Sequence, residues 1–288
     1  MTNRTTIKGF GLKWNPFSRD LPTEAIILTP RLENFLWRVE QLVDEGGFAL
    51  ITGESGTGKS SAMRVLHDRL DQMRDVQAAH IDRPQSSVAD FYRELGDAFG
   101  ISVASSNRWG GFRALREKWR ATLEASLTRP VLLIDEAQEM SGQVLAELRI
   151  LSAEHFDSRS LLTIILAGDS RLPERFRSAE LAPLGSRIRT RLVLEPQSID
   201  EATKAIRALL EKAGNLRLFT DGLMQTLAEQ TFGNFRALAN LGNELLVEAG
   251  KRNADVIDEA LYLDYIASRS PRHASTTKRR GRRKGKAS

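Results

Sequence analysis

One short segment constrains the fold more than any other part of this sequence. Residues 53–60 read GESGTGKS, which matches G-x-x-x-x-G-K-[ST] at every fixed position. Apolar residues 48–51 precede the segment, and a helical pattern follows it. In such an arrangement, successive backbone N–H groups and a helix N-terminus converge on an anion. The sequence therefore predicts a buried strand, a phosphate-binding loop and a helix in direct succession.

The residue types in this loop predict a triphosphate with a magnesium ion. Glycines let the backbone wrap around phosphate groups without Cβ clashes. We expect Lys59 to lie over the β and γ phosphates as a catalytic group, and the Ser60 hydroxyl to be a ligand of Mg²⁺. The predicted cofactors are therefore ATP and Mg²⁺. The residues predicted to bind them in this loop are Gly53, Glu54, Ser55, Gly56, Thr57, Gly58, Lys59, Ser60 and Ser61.

A second motif places two acids after an apolar run. Residues 131–138 read VLLIDEAQ, so four apolar residues lead directly into Asp135 and Glu136. Adjacent carboxylates at the carboxyl end of a buried strand repel each other unless a cation lies between them. We therefore expect Asp135 to hold Mg²⁺ and Glu136 to polarise the water that attacks the γ phosphate. The pair favours an ATPase over a small-molecule kinase, in which water activation would be harmful.

Strand and helix patterns alternate up to about residue 196. The strands are predicted at 47–52, 76–81, 131–135, 161–167 and 192–194, with helices at 30–45, 59–73, 88–99, 109–127 and 143–155. This alternation is typical of an α/β fold with a parallel sheet, here of five strands, between helices. Beyond residue 196 only helical patterns follow, at 199–213, 221–231, 235–252 and 256–267. The predicted domains are an α/β nucleotide-binding domain over 1–196, a small all-helical domain over 197–267, and a tail over 268–288.

Composition limits the class of protein and separates the tail from the rest. Hydrophobic residues make up 41% of the chain and charged residues 27%, which is ordinary for a globular protein. No apolar run approaches the roughly 20 residues that span a bilayer, so we expect a cytoplasmic protein with no membrane contact. Cysteine is absent, which excludes disulfides and thiolate metal sites. The tail carries nine Lys or Arg residues and no acid, so it is predicted to be disordered.

Two basic segments are candidates for contact with double-stranded DNA. In the tail, the candidates are Lys278, Arg279, Arg280, Arg282 and Arg283, although a tail of this kind could instead serve solubility. On the predicted helix 109–127, three arginines recur at spacings of three and four and define one cationic face, to which Lys118 adds charge. The alternative is an ordinary charged helix surface. The candidates on this helix are Arg113, Arg116, Lys118 and Arg120.

Over residues 8–266, the sequence resembles AAA+ ATPases of the ExeA/GspA-like type. It is similar to the transposition helper ATPases TnsC and TniB and, more distantly, to IstB and MuB. The two phosphate motifs match the Walker A and Walker B motifs of this family residue for residue. The resemblance implies an AAA+ P-loop NTPase fold in which the all-helical domain is a lid.

The resemblance also implies roles for residues outside the two motifs. The apolar run 161–167 resembles the strand that carries sensor 1, which would be Asp169; Ser170 is the substitute, and either could simply begin a turn. Residues 184–192 resemble the arginine-finger segment. Arg187 aligns best as a catalytic finger, with Arg189 and Arg191 as alternatives, and a plain charged strand edge also fits.

Two further segments are implied to lie near the nucleotide. Residues 233–236 read GNFR and resemble the sensor 2 pattern, in which Arg236 would contact the γ phosphate in cis. Residues 15–18 read NPFS and resemble the segment beside the adenine, so Pro16 and Phe17 are candidates for nucleotide contact. The alternative for this segment is a strap packed on the core.

The resemblance implies an ATP-dependent DNA-binding regulator of transposition. ATP would assemble copies of the chain into a ring or helical filament on double-stranded DNA, and this assembly would recruit or activate a transposase. ExeA proteins that energise secretion normally carry a membrane segment and a peptidoglycan-binding module, and we recognise neither pattern. The alternatives are a helicase-loader-like or protein-remodelling ATPase with indirect DNA contact, and a nucleotide-gated scaffold that hardly turns over.

Overall fold

A computed structural model describes residues 7–84, 87–103, 108–155 and 158–269. It confirms the predicted α/β class, because five strands form one sheet in the order β2-β3-β6-β1-β7 and every neighbouring pair is parallel. A separate antiparallel hairpin joins β4 to β5. The strands are β1 (Gly47–Gly53), β2 (Val76–Ile81), β3 (Arg129–Ile134), β4 (Ala153–Glu154), β5 (Arg159–Ser160), β6 (Thr163–Gly168) and β7 (Ile188–Leu194).

The helices follow the predicted order closely. Before and between the strands lie α1 (Pro30–Glu45), α2 (Lys59–Asp71), α3 (Val88–Ala98), α4 (Arg108–Ser126), α5 (Gly142–Ser152), α6 (Arg171–Arg175) and α7 (Ala182–Gly185). After β7 come α8 (Ile199–Ala213), α9 (Asp221–Thr231), α10 (Phe235–Arg252) and α11 (Glu259–Arg269).

Both faces of the sheet are covered, which explains the continuous apolar runs of its central strands. In β1, Phe48 and Leu50 face the core that includes side chains of α3, α4 and α5, whereas Ala49 and Ile51 face the core built with α1 and α2. Each of these four residues is at most 1% exposed. Successive residues from Phe48 to Ile51 thus enter opposite cores, which is why this run is apolar at every position.

The strand register brings three chain segments together at one edge of the sheet. In β1, Thr52 pairs with Gly168 of β6, and in β3, Ile134 pairs with Leu166 of the same strand. Because β6 lies between β1 and β3, the phosphate-binding loop, the acidic motif and the residues after Gly168 emerge side by side. This is the edge at which open α/β sheets bind ligands.

The C-terminal part of the described chain is all-helical and has its own core. Ser198 and Glu201 form the predicted capping box at the start of α8. The core between α8, α9, α10 and α11 also includes Leu12 and Phe17 from the N-terminal segment. Strand β7 ends at Leu194 and helix α8 begins at Ile199, so the predicted boundary at residue 196 lies between them.

The structure differs from the sequence predictions at β7, at the β4–β5 hairpin, at the end of α11, and at α6 and α7, two short helices that the sequence did not predict. Strand β7 begins at Ile188 rather than at residue 192, because residues 188, 190 and 192 alternate as buried positions with exposed arginines between them. The β4–β5 hairpin was not predicted. Helix α11 continues to Arg269, so the first two residues of the predicted tail are helical. The tail candidates Lys278, Arg279, Arg280, Arg282 and Arg283 lie outside the described residues.

Within the described ranges, every helix is too short or too polar to cross a bilayer.

Candidate functional site

The side chain of Lys59 folds back onto the phosphate-binding loop that contains it. Lys59 is the first residue of α2 and is only 8% exposed. Its Nζ donates hydrogen bonds to the carbonyl oxygens of Gly53, at 2.8 Å, and Glu54, at 3.0 Å. Gly58 precedes it with a φ of 101°, a left-handed conformation that favours glycine. The ammonium group is thus fixed over the loop, at the positive N-terminal end of a helix.

The two predicted magnesium ligands are in direct contact. The Ser60 hydroxyl donates a 2.7 Å hydrogen bond to Asp135 Oδ2, across a sequence separation of 75 residues. One oxygen comes from the first turn of α2 and the other from the residue after β3. A hydroxyl and a carboxylate are hard oxygen donors of the kind that Mg²⁺ takes alongside phosphate oxygens. The pair therefore fits the predicted cation.

Glu136 is held in a left-handed conformation at the end of this strand, with a φ of 51°. Its Oε2 accepts a 2.5 Å hydrogen bond from Nε2 of Gln138. The other end of that amide, Oε1, accepts a 3.2 Å hydrogen bond from the backbone N–H of Asp169. Gln138 is only 8% exposed, so a buried amide links the carboxylate of Glu136 to the end of β6.

Asp169 lies where the sensor 1 resemblance placed it, but its carboxylate is already paired. Arg171 donates to both of its oxygens, at 3.1 and 2.8 Å, and also donates to Glu139 at 2.8 Å. The hydrogen bond from Arg171 holds the pKa of Asp169 below its usual value. Ser170 is exposed and its side chain does not cap α6. The Arg171 pairing neutralises the second acid near Glu136.

The lid docks directly onto the phosphate-binding loop. Asn234 donates from Nδ2 to the Ser55 carbonyl oxygen at 2.8 Å, and Arg236 donates from Nη1 to the Ser55 hydroxyl at 2.6 Å. The backbone N–H of Phe235 donates to the Gly56 carbonyl oxygen at 2.9 Å. Arg236 therefore reaches the phosphate-binding loop of its own chain, and its contact with the γ phosphate stays a prediction.

The three candidates for the arginine finger lie on or just before β7, an edge strand of the sheet. Arg187 donates to the carbonyl oxygen of Pro183, and Arg191 donates to that of Gly185 at 3.2 Å. Arg189 instead forms an ion pair with Glu45 of α1. Arg187 and Arg191 thus lie against the α7 turn, whereas Arg189 is tied to α1.

The N-terminal candidates for adenine contact pack in the lid. Phe17 is 4% exposed, and its ring stacks on Phe219 with centroids 5.3 Å apart. A Cβ on Gly242 would come within 2.6 Å of the same ring. Phe17 is therefore a core residue of the lid, which corrects its prediction as a nucleotide contact and favours the packed strap. Pro16 beside it is also buried.

Helix α4 does not present the predicted cationic face, because two of its arginines serve internal contacts. Arg116 is 8% exposed, and its Nη1 donates to the carbonyl oxygens of Leu151, at 2.8 Å, and Ala153, at 2.6 Å. Arg120 forms an ion pair with Glu154. This corrects the prediction for Arg116, whose guanidinium is enclosed by the end of α5. Arg113 and Lys118 are exposed.

Two site residues were missed by the sequence analysis. Gln138 lies only two residues after Glu136. A polar amide this close to the end of a buried strand indicates a possible contact with the acidic motif. Asn234 occupies a position of the GNFR segment that the sensor 2 pattern leaves unspecified, yet its side chain caps the N-terminus of α10 and contacts the phosphate-binding loop. Its position as an asparagine immediately before a helical pattern is a common N-cap signal.

Comparisons with known proteins agree with this geometry. Residues 43–176 match the AAA domain family. General secretion pathway protein A of Aeromonas hydrophila is 31% identical over 253 residues, covering 86% of this chain and 45% of that protein. Mu-like prophage FluMu DNA transposition protein B of Haemophilus influenzae is 23% identical over 192 residues, covering 60% and 62% respectively. The chain thus spans less than two thirds of the length of either relative.

Solved structures show the same fold at low sequence identity. The Aeropyrum pernix ORC2 protein has a TM-score of 0.68 and 15% identity, covering 88% of this chain and 71% of that one. Drosophila ORC bound to DNA has a TM-score of 0.62 and 17% identity, covering 92% and 65%. CDC6P from Pyrobaculum aerophilum has a TM-score of 0.67 and 14% identity, covering 84% and 67%.

The phosphate-binding loop, the acidic strand end and the docked lid thus have the arrangement of an ATPase site, residues 43–176 match the AAA domain family, and the chain has the AAA+ P-loop fold and is similar to general secretion pathway protein A.

Proposed function

We propose that this chain is a magnesium-dependent ATPase that assembles on double-stranded DNA and regulates transposition. The observation that carries the nucleotide part is the contact between Ser60 and Asp135, beside Lys59 and Glu136. The transposition part is supported by the relative named DNA transposition protein B. It is also supported by the Aeropyrum pernix ORC1 protein in complex with DNA, which has a TM-score of 0.65 to this chain.

The proposed reaction is attack of water on the γ phosphorus of ATP. The bond from that phosphorus to the β–γ bridging oxygen breaks, and Glu136 accepts the proton of the attacking water. Lys59 and Arg236 neutralise charge on the phosphates from within the same chain. Ser60 and Asp135 would hold Mg²⁺, which supplies charge neutralisation between the phosphate oxygens.

Assembly would add one further cation to this site from a neighbouring copy. Arg187 is the proposed finger, because it lies just before an edge strand of the sheet. Its contact with the Pro183 carbonyl fixes the side chain against the α7 turn. We propose a ring or helical filament in which the α7 turn of one copy faces the phosphate-binding loop of the next. Such an assembly would present target DNA to a transposase, with the protein in the cytoplasm.

Direct DNA contact would come from the basic tail and from α4 cations that make no ion pair with another described residue. On α4, these are Arg113 and Lys118, and the basic tail adds the candidates from Lys278 to Arg283. Neutralising phosphates displaces counterions, so this contact predicts affinity that falls steeply with salt. The double variant Arg113→Ala/Lys118→Ala should therefore lower both the DNA affinity and its salt slope, whereas Lys204→Ala, an exposed lysine on α8, should change neither.

A second candidate function is a helicase-loader-like or protein-remodelling ATPase with indirect DNA contact. The specific observation in its favour is the internal use of Arg116 and Arg120, which removes half of the cations proposed on α4. Under this candidate, neither the α4 double variant nor removal of residues 270–288 changes DNA-dependent ATP hydrolysis or its salt dependence.

The decisive experiment is electron microscopy of the Glu136→Gln variant with ATP and linear duplex DNA. This variant should bind ATP without hydrolysing it, so we expect rings or filaments on the DNA. Glu174→Gln, at an exposed glutamate of α6, is the matched control and should hydrolyse ATP at the wild-type rate. Lys59→Ala should form no assembly. Monomeric protein under all conditions, with ATP binding intact, would refute the assembly.

A further inference from the structure

A groove of about 1170 Å³ lies at the end of the sheet opposite the phosphate-binding loop. Its walls come from α4, from the end of α5 and from the β4–β5 hairpin. Leu123, shortly before β3, and Leu161, shortly before β6, both line it, so it lies where these strands begin. The nucleotide motifs lie where the same parallel strands end. The groove is therefore separate from the nucleotide site and is not used by the proposed ATPase reaction.

One part of the groove lining is apolar and is called its apolar floor; the rest is polar and includes the buried side chains of Arg116 and Glu154. Leu123 and Leu161 are buried, and Phe112 is half-buried beside them. Ile150, on the outer face of α5, is 38% exposed and completes the apolar surface. A recessed apolar floor of this kind gains free energy when apolar side chains cover it. A ligand that fits it must carry apolar groups as well as charge.

Arginines line the interior and the rim of the groove and differ in what they contact; Arg113, one of the proposed DNA contacts, is among them. Arg116 and Arg120 both lie close to the carboxylate of Glu154, at 3.8 Å for Arg116. Arg149 and Arg159 also line the groove, and neither makes a side-chain hydrogen bond or ion pair with another described residue. Each presents a planar fork of donors suited to a carboxylate or a phosphate.

The charges on the rim favour the carboxylates of a peptide over the phosphates of DNA. Glu117 and Glu124 line the same groove among the arginines. Duplex DNA carries one charge per roughly 1.7 Å of its axis, so a phosphate backbone laid along the groove would also meet these carboxylates. A peptide can place its acidic residues against the arginines and other residues against the glutamates. The mixed rim and the apolar floor together favour a peptide.

We propose that this groove is a docking site for an acidic segment of a protein partner. Carboxylates of the segment pair with Arg149 and Arg159, and its apolar side chains cover Phe112, Ile150 and Leu161. This proposal does not rest on ATP hydrolysis or on DNA binding by this chain. In this proposal, the edge at which the parallel strands begin recognises a protein, and the edge at which they end binds the nucleotide.

The test is fluorescence anisotropy of the full chain with a labelled synthetic peptide of alternating glutamate and leucine pairs. The control peptide replaces each glutamate by glutamine. We expect the acidic peptide to bind about tenfold more tightly than its control, and Arg149→Glu/Arg159→Glu to lose about tenfold in affinity. Arg217→Glu, at an exposed arginine of the lid, should bind as the wild type does. A photo-crosslinker at position 150 should capture the peptide.

Two outcomes would overturn the proposal. Equal binding of both peptides, or no binding of either, would show that the arginines do not recognise carboxylates here. Loss of duplex DNA affinity in Arg149→Glu/Arg159→Glu, with peptide binding unchanged, would assign the groove to nucleic acid. Unchanged thermal unfolding of the double variant establishes that it is folded, and its ATP hydrolysis without DNA should equal that of the wild type.

Discussion

Nε2 of Gln138 lies 2.5 Å from Oε2 of Glu136, the carboxylate proposed to activate water, and Oε1 of Gln138 accepts from the backbone N–H of Asp169. A Cβ on Gly168 would come within 2.6 Å of that same Oε1. Gln138 is therefore packed against the end of β6 while it holds Glu136, which follows β3. The amide positions Glu136 relative to the strand between the two phosphate motifs.

The first prediction is that Gln138→Leu slows ATP hydrolysis without preventing ATP binding. Leucine has a similar size but cannot hold Glu136, so the carboxylate loses its orientation toward water. We expect kcat to fall about 10- to 100-fold, because a misplacement of about 1 Å at a reacting group can cost roughly 100-fold. Steady-state hydrolysis and calorimetric ATP binding measure the two effects. Gln143→Leu, at an exposed glutamine of α5, is the control, and an equal loss of kcat there would contradict the positioning role.

The second prediction separates two glycines of the phosphate-binding loop. Gly56 and Gly58 both have positive φ values, of 86° and 101°, so alanine strains the backbone at either position. At Gly56, however, the added Cβ would lie 2.2 Å from Oδ1 of Asn234, whereas at Gly58 it meets nothing within 4 Å. Gly56→Ala should therefore also displace the lid.

We expect Gly56→Ala to lower the free energy of unfolding by about 1–2 kcal/mol more than Gly58→Ala, because the Asn234 contacts with the loop are lost. Urea unfolding without nucleotide measures the difference. In an Asn234→Ala background the two glycine variants should differ much less, because the Asn234 contacts are already absent and the added Cβ at position 56 has no side chain to clash with. Equal destabilisation by both glycine variants would mean that the lid does not pack on the loop in solution.

The sequence predicted the parts of this molecule that depend on short-range pattern. Strands buried on both faces produce uninterrupted apolar runs, so residues 131–134 could be recognised before their neighbours were known. The loop motif and the acids after β3 could be assigned to one cation because parallel strands end at the same edge. Ser60 and Asp135 were placed together on that basis, and they are in contact.

The features that the sequence did not predict depend on which helix or strand packs over which face of its neighbour. Arg113, Arg116 and Arg120 do share the helical spacing that predicts one face, but spacing does not reveal that the end of α5 encloses Arg116. Phe17 could be a ligand contact or a core residue until the lid helices around it were placed. Gln138 is polar and next to a catalytic motif, but its contact with Asp169 requires the register of β6.

The third prediction concerns the buried arginine of α4. Arg116 donates from Nη1 to the carbonyl oxygens of Ile150, Leu151 and Ala153, so Arg116→Ala leaves these acceptors without that donor and leaves Glu154 paired with Arg120 alone. We expect a loss of about 2–4 kcal/mol in the free energy of unfolding. Arg113→Ala, three residues earlier on the exposed side, should change it by less than about 0.5 kcal/mol. Similar values for the two variants, in thermal or urea unfolding, would contradict the enclosed position of Arg116.

The fourth prediction is a pH dependence that originates at Asp169. Hydrogen bonds from Arg171 hold the pKa of Asp169 below its usual value, so the unfolded chain takes up this proton first as the pH falls. The stabilisation from Asp169 is therefore complete above the unfolded pKa of about 3.9 and is lost as the pH falls through the lower folded pKa. Asp169→Asn should lower the free energy of unfolding by about 0.5 kcal/mol at neutral pH, because the pair is partly exposed to solvent.

The difference between the wild type and Asp169→Asn should stay constant from neutral pH to about pH 5 and then shrink as the pH falls below about 4. Urea unfolding over a pH series measures it. Asp255→Asn is the control, since Asp255 is exposed in the lid and its side chain makes no hydrogen bond or ion pair with another described residue. It should show no such pH dependence. A difference that grows as the pH falls would mean that Arg171 does not stabilise the charged form of Asp169.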